Sequence, residues 1–197
     1  MESRKPQLRM RRPNLQGLEP LKPPEGIQIR TWQPGDDVHW ERIIGTSFGR
    51  EPGAISFDHS MRHDPAFLPE RIFFAQLDGK PVATASAYHA GPALPRTGRI
   101  HYVGTLPEAR GRRLGRLVSL AALHRMRQEN LVAALLSTDD FRLAAIKTYL
   151  RLGFEPLLVD ENQRDRWQTV FAALDMPEQI DRFAAILAGP VWQAPTP

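Results

Sequence analysis

The stretch Arg99–Met126, RIHYVGTLPEARGRRLGRLVSLAALHRM, changes its periodicity halfway along, and that change decides the fold. Ile100–Thr105 reads as a strand, and Leu106-Pro107-Glu108 ends it. From Arg113 to Gln128 the apolar residues Leu114, Leu117, Val118 and Ala121 recur at i, i+3, i+4 and i+7, which is one buried face of a helix. Between strand and helix lies Arg110-Gly111-Arg112-Arg113-Leu114-Gly115. Backbone N–H groups at a helix start are unpaired and the dipole makes that end positive. Glycine lets a ligand approach the backbone closely. The turn is therefore an anion site suited to a pyrophosphate, and Arg110, Arg112, Arg113 and Arg116 surround it with positive charge.

Working outward, Ile27–Trp32 alternates like a strand, and Pro34-Gly35-Asp36-Asp37 is a turn that opens a helix from Asp37 to Gly45. Residues 49–70 read as a short helix and loops beside a site. Ile72–Leu77 and Pro81–His89 are strand-like runs joined by Asp78-Gly79-Lys80, a hairpin signal. Downstream, Leu131–Leu136 is a buried strand, Phe141–Leu152 a helix stopped by Gly153, and Phe154–Val159 a strand. Gln163–Leu174 and Pro177–Leu187 read as helices. Strands interleaved with helices predict an α/β or α+β domain on a mixed sheet.

A second segment strengthens the reading. TDDFRLAAIKTYLRLGF, residues 138–154, follows one strand later. Together the two segments resemble the GCN5-related N-acetyltransferase (GNAT) superfamily. Its cofactor motif, Arg/Gln-x-x-Gly-x-Gly/Ala after a strand ending near Pro-Glu, falls on Arg110 to Gly115. Its second motif, an Ala followed four residues later by Tyr and then Gly-Phe, falls on Ala145, Tyr149 and Gly153-Phe154. The resemblance is specific over residues 99–156. Two positions depart from it. Arg113 stands where the family usually has a glycine, which is compatible if that backbone keeps a negative φ, and its guanidinium could assist the phosphates. Arg142 stands where many members have a cofactor-contacting asparagine.

The resemblance implies a mostly antiparallel mixed sheet with flanking helices and a V-shaped splay between its two central strands. It implies acetyl-CoA as co-substrate, with no metal, and transfer of the acetyl group to an amine of a small molecule or a protein. Val103, Gly104 and Thr105 would hydrogen-bond the pantetheine arm, and Arg110, Gly111, Arg112, Arg113, Leu114, Gly115, Arg116 and Arg142 would complete the cofactor site. Gly104 suits this independently, since a strand glycine marks close backbone approach or a bulge. By resemblance Tyr149 is the general acid beside the sulfur. His101 is the candidate base, on the premise that it shares a strand face with Val103, and its ordinary pKa suits the role. Asp139 and Asp140 are alternatives that equally cap the next helix. His59, His63 and Asp64 fall close together, but without a further ligand pattern they read as loop residues rather than a metal site. An acyl-CoA-binding module without catalysis is the alternative reading.

Composition bounds the rest. Hydrophobic content of 42% and charged content of 24% suit a globular protein of 197 residues. No apolar run approaches the roughly 18–20 residues of a membrane span. Cysteine is absent, which excludes disulfides and thiolate chemistry and accords with a cytoplasmic setting. The net charge of +4 resides in residues 1–12, where Arg4, Lys5, Arg9, Arg11 and Arg12 oppose Glu2 alone. A neutral body argues against nucleic-acid binding. With five prolines, residues 1–25 read as a disordered basic leader, 26–190 as the acetyltransferase domain and 191–197 as a tail. A homodimer is compatible with this organisation.

Overall fold

Seven strands hydrogen-bond into one sheet in the computed structural model, which describes residues 5–193. They are β1 (Leu8–Arg12), β2 (Ile27–Thr31), β3 (Ile72–Leu77), β4 (Lys80–His89), β5 (Thr97–Thr105), β6 (Ala133–Thr138) and β7 (Glu155–Leu157). Their order is β2-β3-β4-β5-β6-β1-β7. Every neighbouring pair is antiparallel except β5 and β6. Asp78 and Gly79 both take positive φ, 50° and 75°, as the tight β3–β4 hairpin requires. The helices are α1 (Asp37–Ser47), α2 (Leu114–Gln128), α3 (Leu143–Arg151), α4 (Gln163–Ala173), α5 (Glu178–Arg182) and α6 (Ala184–Ala188). The expected single helix from Pro177 to Leu187 is broken at Phe183, whose ring turns into the core. Among the described residues no helix is long and apolar enough to cross a membrane.

The parallel pairing of β5 with β6 covers only Thr97↔Ala133, Gly98↔Ala134 and Arg99↔Leu135. From Ile100 onward β5 has no β6 partner, so the two strands splay as the resemblance implies. On the other side the β4–β5 register slips by one between Thr84 and Ser86, placing Tyr102 and Val103 opposite Ala85 alone. Tyr102 takes a φ of 45° at this bulge. An inserted residue resets which side chains share a face. Before it, a Cβ on Gly98 would run into Met126 of α2; after it, a Cβ on Gly104 would meet Ile43 and Ile44 of α1. So α1 covers the face carrying Tyr102 and Gly104, while α2 covers the face carrying Ile100, Val103 and Thr105.

The disordered leader needs correction. Residues 8–12 lie inside the sheet, pairing with β6 on one side and β7 on the other. Leu8 and Met10 are fully buried in the core shared with α2, α3 and α4, while Arg9 and Arg11 point to solvent. That is the strict alternation of a half-buried strand, with the burial of two large side chains outweighing the charge beside them. Arg12 donates to the Leu152 carbonyl and packs where a Cβ on Gly153 would sit. Residues 1–4 and 194–197 of the expected leader and tail lie outside the described residues. Trp192 still bonds the chain, donating its N–H to the Leu158 carbonyl at 2.7 Å.

Candidate active site

The splay between β5 and β6 opens a cleft of about 530 Å³. Its walls bring together Val103, Gly104, Thr105, Arg110, Gly111, Arg113, Leu114, Gly115, Arg116, Arg142 and Tyr149, residues singled out from sequence in two separate motifs. Arg112 is exposed on the same turn but outside the lining, and His101 lies outside it as well. Leu114 buries its side chain in the core, so only its backbone faces the turn.

The turn and helix start present backbone donors and cations to the cleft. A short 3-10 turn, Pro107–Ala109, leads into Gly111 at φ 79° and then α2, which has no side-chain cap. Its first amides therefore retain donor capacity toward the cleft. Arg116 is ion-paired with Glu19. Among the described residues Arg110, Arg112 and Arg113 have no ion-pair partner and are exposed. Arg113 overturns an expectation: its backbone sits in the left-handed region at φ 58°, ψ 23°, although it carries a full side chain. The turn thus demands the conformation that the family's glycine supplies, and this chain accepts strain to place a cation there.

Across the cleft, Ser47 at the end of α1 was not singled out from sequence. Its Oγ accepts the Thr105 N–H at 3.0 Å and donates to the Thr105 carbonyl at 3.3 Å, capping the strand edge that β6 leaves. Gly104 allows this: a Cβ there would lie 2.8 Å from Ser47 Oγ. Arg142 bridges the two lips of the cleft. Its Nε donates to Asp139 at 3.0 Å, it reaches the Ser47 carbonyl, and its guanidinium lies 4.4 Å from the Phe48 ring centroid and 5.3 Å from that of Phe141. Phe48 and Phe141, like Ser47, carry no motif signal, because their proximity is made only by the fold.

Tyr149 is buried on α3, edge-on to Phe154, with its phenol lining the cleft. Burial pushes that phenol up to about 12, so it holds its proton at neutral pH. His101 is elsewhere. The Tyr102 bulge places it on the α1 face, away from Val103, which corrects the shared-face premise. Its ring packs against Tyr88 and Tyr102, and burial, assisted by Arg99, lowers it to about 4. It is a neutral imidazole and a weak base. The two aspartates are committed too: Asp139 to Arg142, and Asp140 to Arg166 through bonds of 2.6 and 2.8 Å that lower its pKa.

This geometry has relatives. The model of the Acetyltransferase (GNAT) family matches residues 39–154. The chain is 34% identical over 160 residues to a mycothiol acetyltransferase of Thermomonospora curvata, covering 78% of this chain and 52% of the relative. It is 36% identical over 152 residues to a mycothiol acetyltransferase of Nocardia farcinica, covering 73% of this chain and 50% of the relative. The chain spans about half the length of the curated relatives it matches. Among solved structures, a GCN5-related N-acetyltransferase from Sphaerobacter thermophilus matches with a TM-score of 0.59 and 26% identity, over 77% of this chain and 49% of that one.

Proposed function

The chain belongs to the GNAT acetyltransferase family, and from that premise we propose that it transfers an acetyl group from acetyl-CoA to the amine of a small molecule. The observation that carries the proposal is the convergence of an uncapped, arginine-flanked helix start and a buried phenol on one cleft between splayed strands. The residues present fit the co-substrate. The α2 amides with Arg110 and Arg113 suit its pyrophosphate, and the β5 edge at Val103, which β6 leaves, suits the amides of its pantetheine arm, with Thr105 beside it already capped by Ser47. Relatives named mycothiol acetyltransferase support a small-molecule acceptor over a protein one. Absence of cysteine is consistent with a cytoplasmic setting.

In this reading a neutral amine attacks the thioester carbonyl and the C–S bond breaks. Tyr149 then gives its proton to the departing thiolate. A phenol held near 12 is protonated before the step, and the phenolate it leaves, being a strong base, recovers a proton from water. His101, turned to the other face and held neutral, receives no proton-transfer role; the amine's proton passes to water.

Two measurements test the proposal. Acetyl-CoA should raise the melting temperature, because a ligand that binds only the native state adds stability by mass action. Gly115→Asp should remove most of that shift: the new carboxylate enters beside Thr105 Oγ1, 3.4 Å from the added Cβ, and repels the pyrophosphate. A full shift in this variant moves the cofactor elsewhere. Thiol release with a panel of small amines then separates an enzyme from a silent acyl-CoA-binding module, which would bind tightly and turn over nothing.

A further inference from the structure

The cleft runs through the splay: α2 and α3 line it from one face, Ser47 at the end of α1 and Arg142 close on it from the other, and β6 is one of its lips. With the nucleotide loop and the acyl arm entering from the α2 and α3 face, an acceptor has to reach the thioester through the opposite end of the splay. On that opposite face β6 presents Ser137, whose neighbours Leu136 and Thr138 are buried the other way. Ser137 borders a second cavity, of about 400 Å³, whose polar side is Ser137, Gln7 and Arg9 and whose apolar side is Pro6, Val159 and Trp192. No motif drew attention to these residues, and the catalytic reading leaves them unused.

Charge singles out one of them. Four strand arginines stand on this face, and Arg30 is ion-paired with Asp36. Arg99 lies 4.0 Å from Asp64, and Arg11 is directly opposite Glu155 in the β1–β7 register. Arg9 is flanked instead by Ser137 and Leu157. Gln7 donates to Asp139, whose carboxylate is already held by Arg142, so that nearby negative charge is compensated. Arg9 therefore brings net positive charge, with five donors in a planar fork, to a cavity whose other wall is an indole.

We propose that this cavity is the acceptor subsite, and that the acceptor is a small amine carrying an anionic group, which Arg9 binds while Trp192 covers its apolar part. The proposal rests on the acetyl-transfer reading above. Its chemistry is shared by carboxylates and phosphates, and the two are told apart by experiment. Steady-state rates are measured at about 0.15 M salt, where the screening length is about 8 Å, for two matched pairs: an aromatic amino acid against its amide, and phosphoethanolamine against ethanolamine. The anionic member of at least one pair is expected to be the better substrate, and that pair identifies the anion. Arg9→Gln should raise its KM by about tenfold or more, the scale of a lost charge-assisted hydrogen bond, with kcat within twofold and the neutral member unaffected. Arg11→Gln, on the same face but outside the cavity, should leave both KM values unchanged. Equal effects of Arg9→Gln on charged and neutral acceptors, or a wild-type preference for the neutral ones, overturn the proposal. If acetyl-CoA binds but no amine is acetylated, the transfer reading fails, and tryptophan fluorescence still reads the cavity. Phenylacetate or inorganic phosphate should then give a saturable change that Arg9→Gln abolishes; no such change in the wild type overturns the subsite as well.

Discussion

Replacing Arg113 by glycine should move stability and cofactor affinity in opposite directions. Arg113 is held at φ 58° at the entrance to α2. An L-residue in the left-handed region carries roughly 1–2 kcal/mol of strain that glycine does not. Against this, glycine makes the unfolded chain more flexible, at a cost of about 0.4–1 kcal/mol. The balance is a gain of about 0.5–1 kcal/mol, or roughly 1–4 °C in melting temperature for a chain of this size. Affinity moves the other way, because an exposed guanidinium is lost from the turn proposed to hold the pyrophosphate. A tenfold weaker Kd takes about 1.4 kcal/mol from the stabilisation at saturating acetyl-CoA. Arg113→Ala is the necessary partner, since it removes the same charge but keeps the strain. Thermal melts of the three proteins with and without acetyl-CoA should rank the unliganded forms with glycine highest, while both variants lose a similar part of the ligand shift. If the glycine variant melts no higher than the alanine one, the turn is not strained and the explanation given for its arginine is wrong.

Tyr149→Phe should lower kcat by about 10²-fold or more while acetyl-CoA affinity and melting temperature change little; near-normal turnover with chemistry rate-limiting removes the general-acid role. Met10→Ala should cost about 2–5 kcal/mol in chemical denaturation, as expected for a fully buried side chain in a strand paired on both sides, whereas a loss below about 0.5 kcal/mol would return β1 to the leader. Burial alone would raise Glu129, but hydrogen bonds from Arg71, Arg125 and His89 outweigh it and hold the carboxylate at about 2, below its ordinary 4.5. Its contribution, reduced by solvent screening, is therefore present above pH 4.5 and lost as pH falls toward 2. The stability difference between wild type and Glu129→Gln should shrink over that window, and a difference independent of pH there would deny the linkage.

The cleft was legible in sequence because its pieces are local. A strand, a turn and a helix start are contiguous from Ile100 to Arg116, and Tyr149 sits at a fixed spacing from Gly153 and Phe154. What escaped depends on register and on long-range pairing. The face of His101 was misassigned because strict alternation was carried through Tyr102, and one inserted residue inverts every assignment beyond or before it. The strand at Leu8–Arg12 did have a signal, the alternation Leu-Arg-Met-Arg, but five prolines and a surplus of cations in residues 1–25 masked it. Its partners lie more than a hundred residues away, and no local propensity reports them. Ser47 was invisible for a related reason: only the missing Cβ of Gly104 lets α1 come close enough for its hydroxyl to cap Thr105.

The bulge at Tyr102 ties these observations to function. A bulge bends its strand and adds local twist, so a single inserted residue in β5 is sufficient to turn the strand away from a parallel partner. Pairing with β6 stops at Arg99, three residues before the bulge, as that bend requires. The same insertion turns Val103 and Thr105 toward α2 and α3, where the helix start and the Tyr149 phenol wait, and turns His101, Tyr102 and Gly104 toward α1. A non-glycine residue at φ 45° is costly and persists only where its surroundings hold it. Here the Tyr102 ring stands edge-on to Trp40 at 4.9 Å and stacks on Phe48 at 6.0 Å, and Phe48 in turn receives the guanidinium of Arg142 from the far lip. The strain that opens the cleft is thus held by the aromatic packing of α1, and the cation that spans the cleft rests on the same rings. Access from the two faces and the separation of the two lips follow from one residue of extra length in one strand.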